Sequence, residues 1–151
     1  MQFKSITVII VLSLVAASLL VSGCTSSTTS TTQGTVSLKA TQVTAPQSIG
    51  SPYIYTPKQG YKFVMYNVTV TNADTKSRNV HTMFFTAHDK NNNTYGISQA
   101  TNDKSIAGFP NNVVTNPNDK ASGLLVFEIP QNATIANLVY KDDYGSTTIN
   151  L

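Results

Sequence analysis

The residues with the most specific chemistry in this sequence are His81 and Met83, which stand two positions apart. Residues at that spacing point to the same side of a β-strand, so an imidazole and a thioether would face one way. These soft donors suit Cu(I), and a copper carrier is one interpretation of the pair. The strand pattern offers no third ligand, because it directs Met65 away from the predicted core face. We therefore favour a metal-free interpretation in which Met83 packs in the core and His81 lies at the surface.

Asp89, Asn91 and Asn93 have the alternate spacing of the first ligands in a calcium-binding loop. Thr94 occupies the place of the required glycine, and Ala100 occupies that of the bidentate glutamate. Since Asx residues tolerate left-handed backbone, a hairpin turn is the favoured interpretation.

Side chains that could carry out catalysis are sparse in this chain. The sequence has two histidines, one glutamate (Glu128) and no Gly-x-Ser-x-Gly nucleophile motif, so no nucleophile with its base is evident. Asp142 and Asp143 fit a solvated turn better than a cation site. We expect a protein that is not an enzyme and that needs no cofactor.

The N-terminal segment resembles the signal peptide of a lipoprotein. Lys4 precedes an apolar run from Thr7 to Leu20, which is too short to span a bilayer comfortably. Val21–Cys24 then matches the lipobox pattern of an aliphatic residue, two small residues and cysteine, and Cys24 is the only cysteine in the sequence. We predict that residues 1–23 are a signal peptide and that a lipid on Cys24 anchors the protein to the cell membrane, outside the cytoplasm.

The next segment predicts a tether followed by one domain. Residues 24–34 comprise the lipidated Cys24 and the run Thr25–Gly34, which has no apolar residue and should stay solvated and mobile. Residues 35–151 are long enough for a single domain with its own core. Without Lys4 the chain carries nine basic residues against seven acidic ones, and no basic cluster. A nucleic-acid partner is therefore not expected.

Beyond the tether, apolar residues recur at every second position and turn residues interrupt them about every ten residues, as in half-buried strands. The clearest strand is Tyr61–Asn72, with Tyr66 and Val68 on its core face and Met65 on a partly covered face. Further strands are predicted at 36–40, 79–89, 94–98, 121–129, 135–141 and 147–151. Turns join most of these strands, and residues 99–120 form a long loop with a brief extended piece at 113–114. Seven or eight strands without helices predict an all-β fold, an antiparallel immunoglobulin-like sandwich.

Two motifs in these strands resemble those of a known family. The sequence Val68-Thr69-Val70-Thr71-Asn72 ends a predicted core strand at a turn, and Gly123 to Pro130 has the pattern Gly-x-x-x-Phe-x-x-Pro. From Thr35 to Leu151 the chain resembles a widespread bacterial and archaeal family of secreted immunoglobulin-like lipoprotein domains, most of them of unknown function. The resemblance implies an antiparallel sandwich on the outer cell surface and brings no catalytic residues.

Aromatic side chains in or near predicted loops are candidates for ligand contact. Their rings could stack on sugars or pack against a partner protein, which makes a polysaccharide-binding module an alternative. These residues are Tyr53, Tyr55, Tyr95 and Tyr144. By contrast, Tyr66 and Tyr140 are assigned to the core.

Asn67, Asn92 and Asn132 begin Asn-x-Thr sequons, which a glycosylating host could modify. Such triplets also arise by chance in a chain rich in Asn and Thr. Taken together, the sequence favours a membrane-anchored surface lipoprotein whose domain is a non-catalytic binding or structural module with a protein or glycan partner. A copper carrier and a polysaccharide-binding module remain alternatives.

Overall fold

The structure is a computed structural model that describes residues 28–33 and 36–151. The predictions of a signal peptide and of a lipid on Cys24 fall outside these residues. Within the described ranges, no helix is long and apolar enough to cross a membrane.

The described chain forms ten strands and two short 3-10 helices. The strands are β1 (Thr28–Gln33), β2 (Val36–Val43), β3 (Tyr61–Asn72), β4 (Arg78–Val80), β5 (Phe85–Asp89), β6 (Thr94–Gly96), β7 (Val113–Thr115), β8 (Lys120–Pro130), β9 (Ile135–Asp142) and β10 (Gly145–Asn150). The 3-10 helices are Thr82–Phe84 and Gln99–Asn102. The prediction of an all-β fold is confirmed, and β3 has the predicted bounds.

Two four-stranded antiparallel sheets make up the sandwich. One has the order β1-β2-β3-β8 and the other β10-β9-β5-β6, while β4 and β7 form a separate two-stranded ribbon. At one side of the sandwich β1 lies beside β10. At the opposite side, a bridge between Ile97 and Phe127 links the segment after β6 to β8.

The main core lies between the two sheets, where the period-two pattern places its apolar residues. Tyr66, Val68 and Phe127 are buried there, together with Tyr140, as predicted for the two tyrosines. The ring of Phe85 packs edge-on against that of Tyr140, with a centroid distance of 5.1 Å. Burial raises the pKa of Tyr66 to about 12.

A second apolar cluster covers part of the outer face of β3 and β8. Phe63 and Met65 point to that face and are buried against Ile49 and Val126. The connection between β2 and β3 and the 3-10 helix at Gln99–Asn102 supply the covering residues. The outer face of β3 is therefore only partly covered, as predicted, and Asn67 on the same face is exposed.

The predicted strand over residues 79–89 is wrong as a continuous element. It is broken into β4 and β5 by the 3-10 helix Thr82–Phe84. His81 Nδ1 accepts a hydrogen bond from the Met83 backbone N–H (3.0 Å), and the buried Thr82 hydroxyl donates to Asn111 (2.8 Å). The chain turns at these contacts. The side chains after the 3-10 helix therefore do not continue the inward and outward alternation predicted for a single strand.

The predicted tether also differs from the structure where the two overlap. Thr28–Gln33 pairs with β2 along its whole length, from Thr28 opposite Thr41 to Gln33 opposite Val36. Thr is well suited to extended backbone, and ladder hydrogen bonds need no apolar side chain. This part of Thr25–Gly34 is an edge strand.

Candidate functional site

Among the residues that the structure describes, two adjacent large apolar residues are strongly exposed in the connection between β2 and β3. Tyr53 is 80% exposed and Ile54 is 68% exposed. They are adjacent in the sequence, and we call this exposed pair the Tyr53–Ile54 tip. Single exposed apolar residues are ordinary on a protein surface, but an adjacent aromatic and aliphatic pair offers a compact contact.

The Tyr53–Ile54 tip is held in place by its base. Ile49 and Tyr55 exchange two backbone hydrogen bonds, at 2.9 Å and 2.7 Å, and Ile49 is buried in the second apolar cluster. Gly50 has φ +120, and a Cβ added there would lie 2.0 Å from the Tyr53 carbonyl oxygen. Only glycine fits this turn, so the tip has a defined backbone path.

Beneath the same connection lies a cavity of about 460 Å³. Pro46, Pro57 and Phe63 contribute apolar walls, and Lys62 and Gln131 contribute polar groups. Nearby, Lys58 Nζ lies 3.9 Å from the ring centroid of Tyr61. Apolar and polar groups therefore both line this cavity. The sequence predicted Tyr53 and Tyr55 of this segment as aromatic residues available for ligand contact, but gave no sign of this cavity.

Met83 does not pack in the core, and the prediction that it does is wrong. Its side chain is 80% exposed, because the 3-10 helix directs it outward, whereas Phe84 packs against Tyr140 with a centroid distance of 5.8 Å. His81 and Met83 line one shallow groove. The other described residues of that groove offer hydroxyl, amide and aliphatic groups and no further sulfur or imidazole. A copper ion in this groove would therefore have two soft donors among the described residues, the His81 imidazole and the Met83 thioether.

Asp89, Asn91 and Asn93 form a turn, as favoured by the sequence. Asp89 Oδ1 accepts hydrogen bonds from the backbone N–H groups of Asn91 (2.8 Å) and Asn93 (2.9 Å), and Oδ2 accepts from Tyr95 (2.8 Å). Asn92 has φ +64, the left-handed backbone expected of an Asx turn. The carboxylate oxygens thus face N–H and O–H donors.

The same hydrogen bonds set the acidity of Asp89. The side-chain amide of Asn93, which also donates to Asp89 Oδ2 (2.8 Å), makes the largest contribution, and these donors together lower the pKa of the Asp89 carboxyl to about 2. Among the described residues, no three His, Cys, Asp or Glu side chains come together as a metal-binding group.

The predicted turn at Asp142 and Asp143 is present and Asp143 is exposed, but the prediction of a solvated side chain is wrong for Asp142. It is 5% exposed, its Oδ1 accepts from the backbone N–H groups of Tyr144 and Gly145, and its Oδ2 lies 3.7 Å from Arg78. Arg78, the single arginine of the chain, also pairs with Asp74 and lies under the ring of Tyr144. The hydrogen bond from Arg78 lowers the pKa of the Asp74 carboxyl. Arg78 thus links the turn after β3, through Asp74, to the turn between β9 and β10, through Asp142 and Tyr144.

The tyrosines from predicted loops do not share one environment. Tyr53 and Tyr144 are exposed, but Tyr144 covers Arg78 at the turn between β9 and β10 whereas Tyr53 lies in the connection between β2 and β3. Tyr55 and Tyr95 are half-buried. Within the described residues, no ring contact joins any two of these four side chains.

The three sequon asparagines are all exposed. Asn67 lies on a central strand, and Asn92 and Asn132 lie in turns. The hydroxyl of Thr69 in the first sequon is hydrogen-bonded to that of Ser122 at 2.8 Å. Modification of these sites stays a prediction.

Comparison with solved structures identifies similar sandwiches. The ycdA protein of Bacillus subtilis subsp. subtilis str. 168, a candidate lipoprotein, matches with a TM-score of 0.61 and 18% identity over 83% of this chain. The chain spans 38% of the length of ycdA. The yjhA protein of Bacillus subtilis matches with a TM-score of 0.56 and 18% identity over 78% of this chain and 81% of its own. These similarities show the fold.

Comparison with curated protein sequences gives no match. The model of a domain of unknown function, DUF4352, matches residues 28–149, which include β1 and nearly all of β10. The match begins at the strand that replaces part of the predicted tether. The chain belongs to the DUF4352 family.

Proposed function

We propose that this protein is a lipoprotein of the cell surface, anchored by a lipid on Cys24, whose β-sandwich is a non-catalytic binding or structural module. The observation that carries the proposal is the lipobox match at Val21–Cys24, placed only a few residues before the sandwich begins at Thr28. The likeness to ycdA, a candidate lipoprotein with the same fold, supports it. The location implied is outside the cytoplasm.

The Tyr53–Ile54 tip is the surface best suited to a partner. Aromatic residues are enriched among the residues that dominate protein interfaces, and apolar neighbours exclude water around them. The base of the tip is ordered, so little conformational entropy is lost when a partner binds. Since the exposed tyrosines are scattered, a protein partner is favoured over a polysaccharide, which would need a continuous aromatic surface.

The test is chemical crosslinking on intact cells followed by mass spectrometry of the captured proteins. The full chain is compared with a Tyr53→Ser/Ile54→Ser variant and with Val114→Ser, a matched control because Val114 is also 68% exposed but lies on β7. We expect one reproducible partner that is lost in the double variant and kept in the control. Capture of the same partner by all three proteins would refute the role of the tip.

The anchor is tested separately by incorporation of labelled palmitate. The full chain should acquire the label and remain with the membrane fraction, and Cys24→Ala should lose both. A full chain without label would refute the lipoprotein assignment, whatever the crosslinking shows.

A further inference from the structure

We propose that the sandwich lies on its side against the membrane, with the edge formed by β1 and β10 facing the outer surface of the bilayer. The inference rests on the proposed lipid on Cys24 and adds an orientation and a contact surface to it. We call this surface the anchor edge.

The first step concerns the length of chain between the lipid and the domain. Because Thr28–Gln33 is paired with β2, only residues 25–27 separate Cys24 from the sandwich. Four Cα steps from Cys24 to Thr28 span at most about 14 Å. A free chain from Cys24 to Val36 would reach about 40 Å. Pairing of β1 therefore removes most of the reach that the predicted tether would have.

The second step concerns where β1 begins. Thr28 lies opposite Thr41, and Thr41 lies opposite Asn67, in the middle of β3. From Asn67 the strand continues to Tyr61, so the end of the sandwich projects roughly 20 Å beyond the level of Thr28. The link of about 14 Å is too short to pass this end. The lipid must therefore enter the bilayer beside β1, which brings the edge of the sandwich to the membrane.

The third step concerns the chemistry of the anchor edge. The sequences of β1 and β10 contain no charged residue. On the strands next to them, Lys39 and Lys141 are exposed, and the acidic Asp142 turns its side chain toward Arg78. The exposed Asp143 lies in the turn between β9 and β10, outside these strands. Two lysines without an exposed acid on these four strands suit the negative charge of anionic lipid headgroups.

The lysines are placed on both sides of the anchor edge. Lys39 lies opposite Ser30 of β1 and belongs to the outer face of one sheet, because its neighbours Leu38 and Ala40 point into the core. Lys141 lies opposite Ser146 of β10 and follows the buried Tyr140, so it belongs to the outer face of the other sheet. A membrane under the edge would meet one lysine from each sheet.

The experiment uses the full chain, lipidated in cells and reconstituted in phosphatidylglycerol-containing vesicles with a nitroxide on a fraction of the headgroups. Lipid occupies the Cys24 thiol, so an introduced cysteine is the only free thiol and takes a bimane fluorophore. Thr148→Cys places it on β10, and Thr94→Cys, the matched control, places it on β6 at the other edge of the same sheet; both threonines are exposed.

Three interstrand spacings separate these positions, about 14 Å across the sheet, and nitroxide quenching needs near contact. We therefore expect the fluorophore at position 148 to be quenched about twofold or more relative to position 94. Ser146→Cys serves in place of Thr148→Cys if circular dichroism shows that the latter is unfolded. Equal quenching at the two edges, or stronger quenching at position 94, would overturn the proposed orientation.

A second variant tests whether the pairing of β1 with β2 causes the proposed orientation. Insertion of about ten Gly and Ser residues between Ser27 and Thr28 restores a flexible link and should equalise quenching at the two positions. Persistence of the difference would contradict the short-link argument. Mass spectrometry of the same samples separates the two proposals, because protein without lipid on Cys24 refutes the anchor, whereas lipidated protein with equal quenching refutes the orientation alone.

Discussion

Replacing Asn72 by alanine should destabilise the sandwich strongly, although Asn72 is a polar residue at the end of a strand. Its side chain is fully buried. Nδ2 donates to the carbonyl oxygens of Lys76 (2.8 Å) and Thr115 (3.0 Å), and Oδ1 accepts from the backbone N–H of Asp74 (2.9 Å). One side chain thus joins the turn after β3 to strand β7.

The magnitude follows from these three hydrogen bonds. Each contributes about 1 kcal/mol net, and the buried Thr115 carbonyl would be left without this donor, so Asn72→Ala should lower the free energy of unfolding by about 3 kcal/mol. With a urea m-value of about 1.5 kcal/mol/M, the midpoint falls by about 2 M. The assay is urea unfolding followed by far-ultraviolet circular dichroism, since the chain has no tryptophan.

Asn67→Ala is the matched control, because Asn67 lies on the same strand and is exposed; its effect should stay within about 0.5 kcal/mol. Equal midpoints for the two variants would refute the reasoning. Asn72→Asp keeps the acceptor but sets a carboxylate against two carbonyl oxygens, which raises its pKa in the folded state. The stability deficit of that variant should therefore be large at neutral pH and shrink as the pH falls through the raised pKa.

Three further predictions concern other residues. The hydrogen bonds of Asp89 contribute stability that is fully present above its ordinary pKa of 3.8 and is lost as the pH falls toward about 2. Asp89→Asn, which cannot titrate there, should show a smaller fall in thermal midpoint on acidification than the unchanged protein, and parallel curves would contradict this. Gly123→Ala should cost about 1–3 kcal/mol in urea unfolding, because the added Cβ would lie 2.4 Å from the Phe109 Cα, whereas Gly96→Ala has open space and should not show this clash. Met83→Ser should leave the unfolding free energy within about 0.5 kcal/mol, since the side chain is exposed; a loss of about 2 kcal/mol or more would mean that Met83 is packed after all.

Local sequence determined the strands in which apolar and polar residues alternate, because alternation is a local property. In Tyr61–Asn72 every second side chain must be apolar to face the opposing sheet, and the same rule correctly assigned Tyr66 and Tyr140 to the core. The turn at Asp89 was also predictable, since an Asx side chain bonds to backbone groups two to four residues away. Each of these features depends on neighbours along the chain.

What only the tertiary structure decided depends on contacts between distant residues. The exposure of Met83 follows from the 3-10 helix held by Asn111, and the burial of Asp142 follows from Arg78, far away in sequence. Pairing of Thr28–Gln33 with β2 is a further case, because a run of Thr and Ser has no period-two pattern to announce a strand and gains its order from the ladder itself. Apolar alternation encodes which face of a strand is covered, whereas backbone pairing and ion pairing depend on where the fold brings the partner.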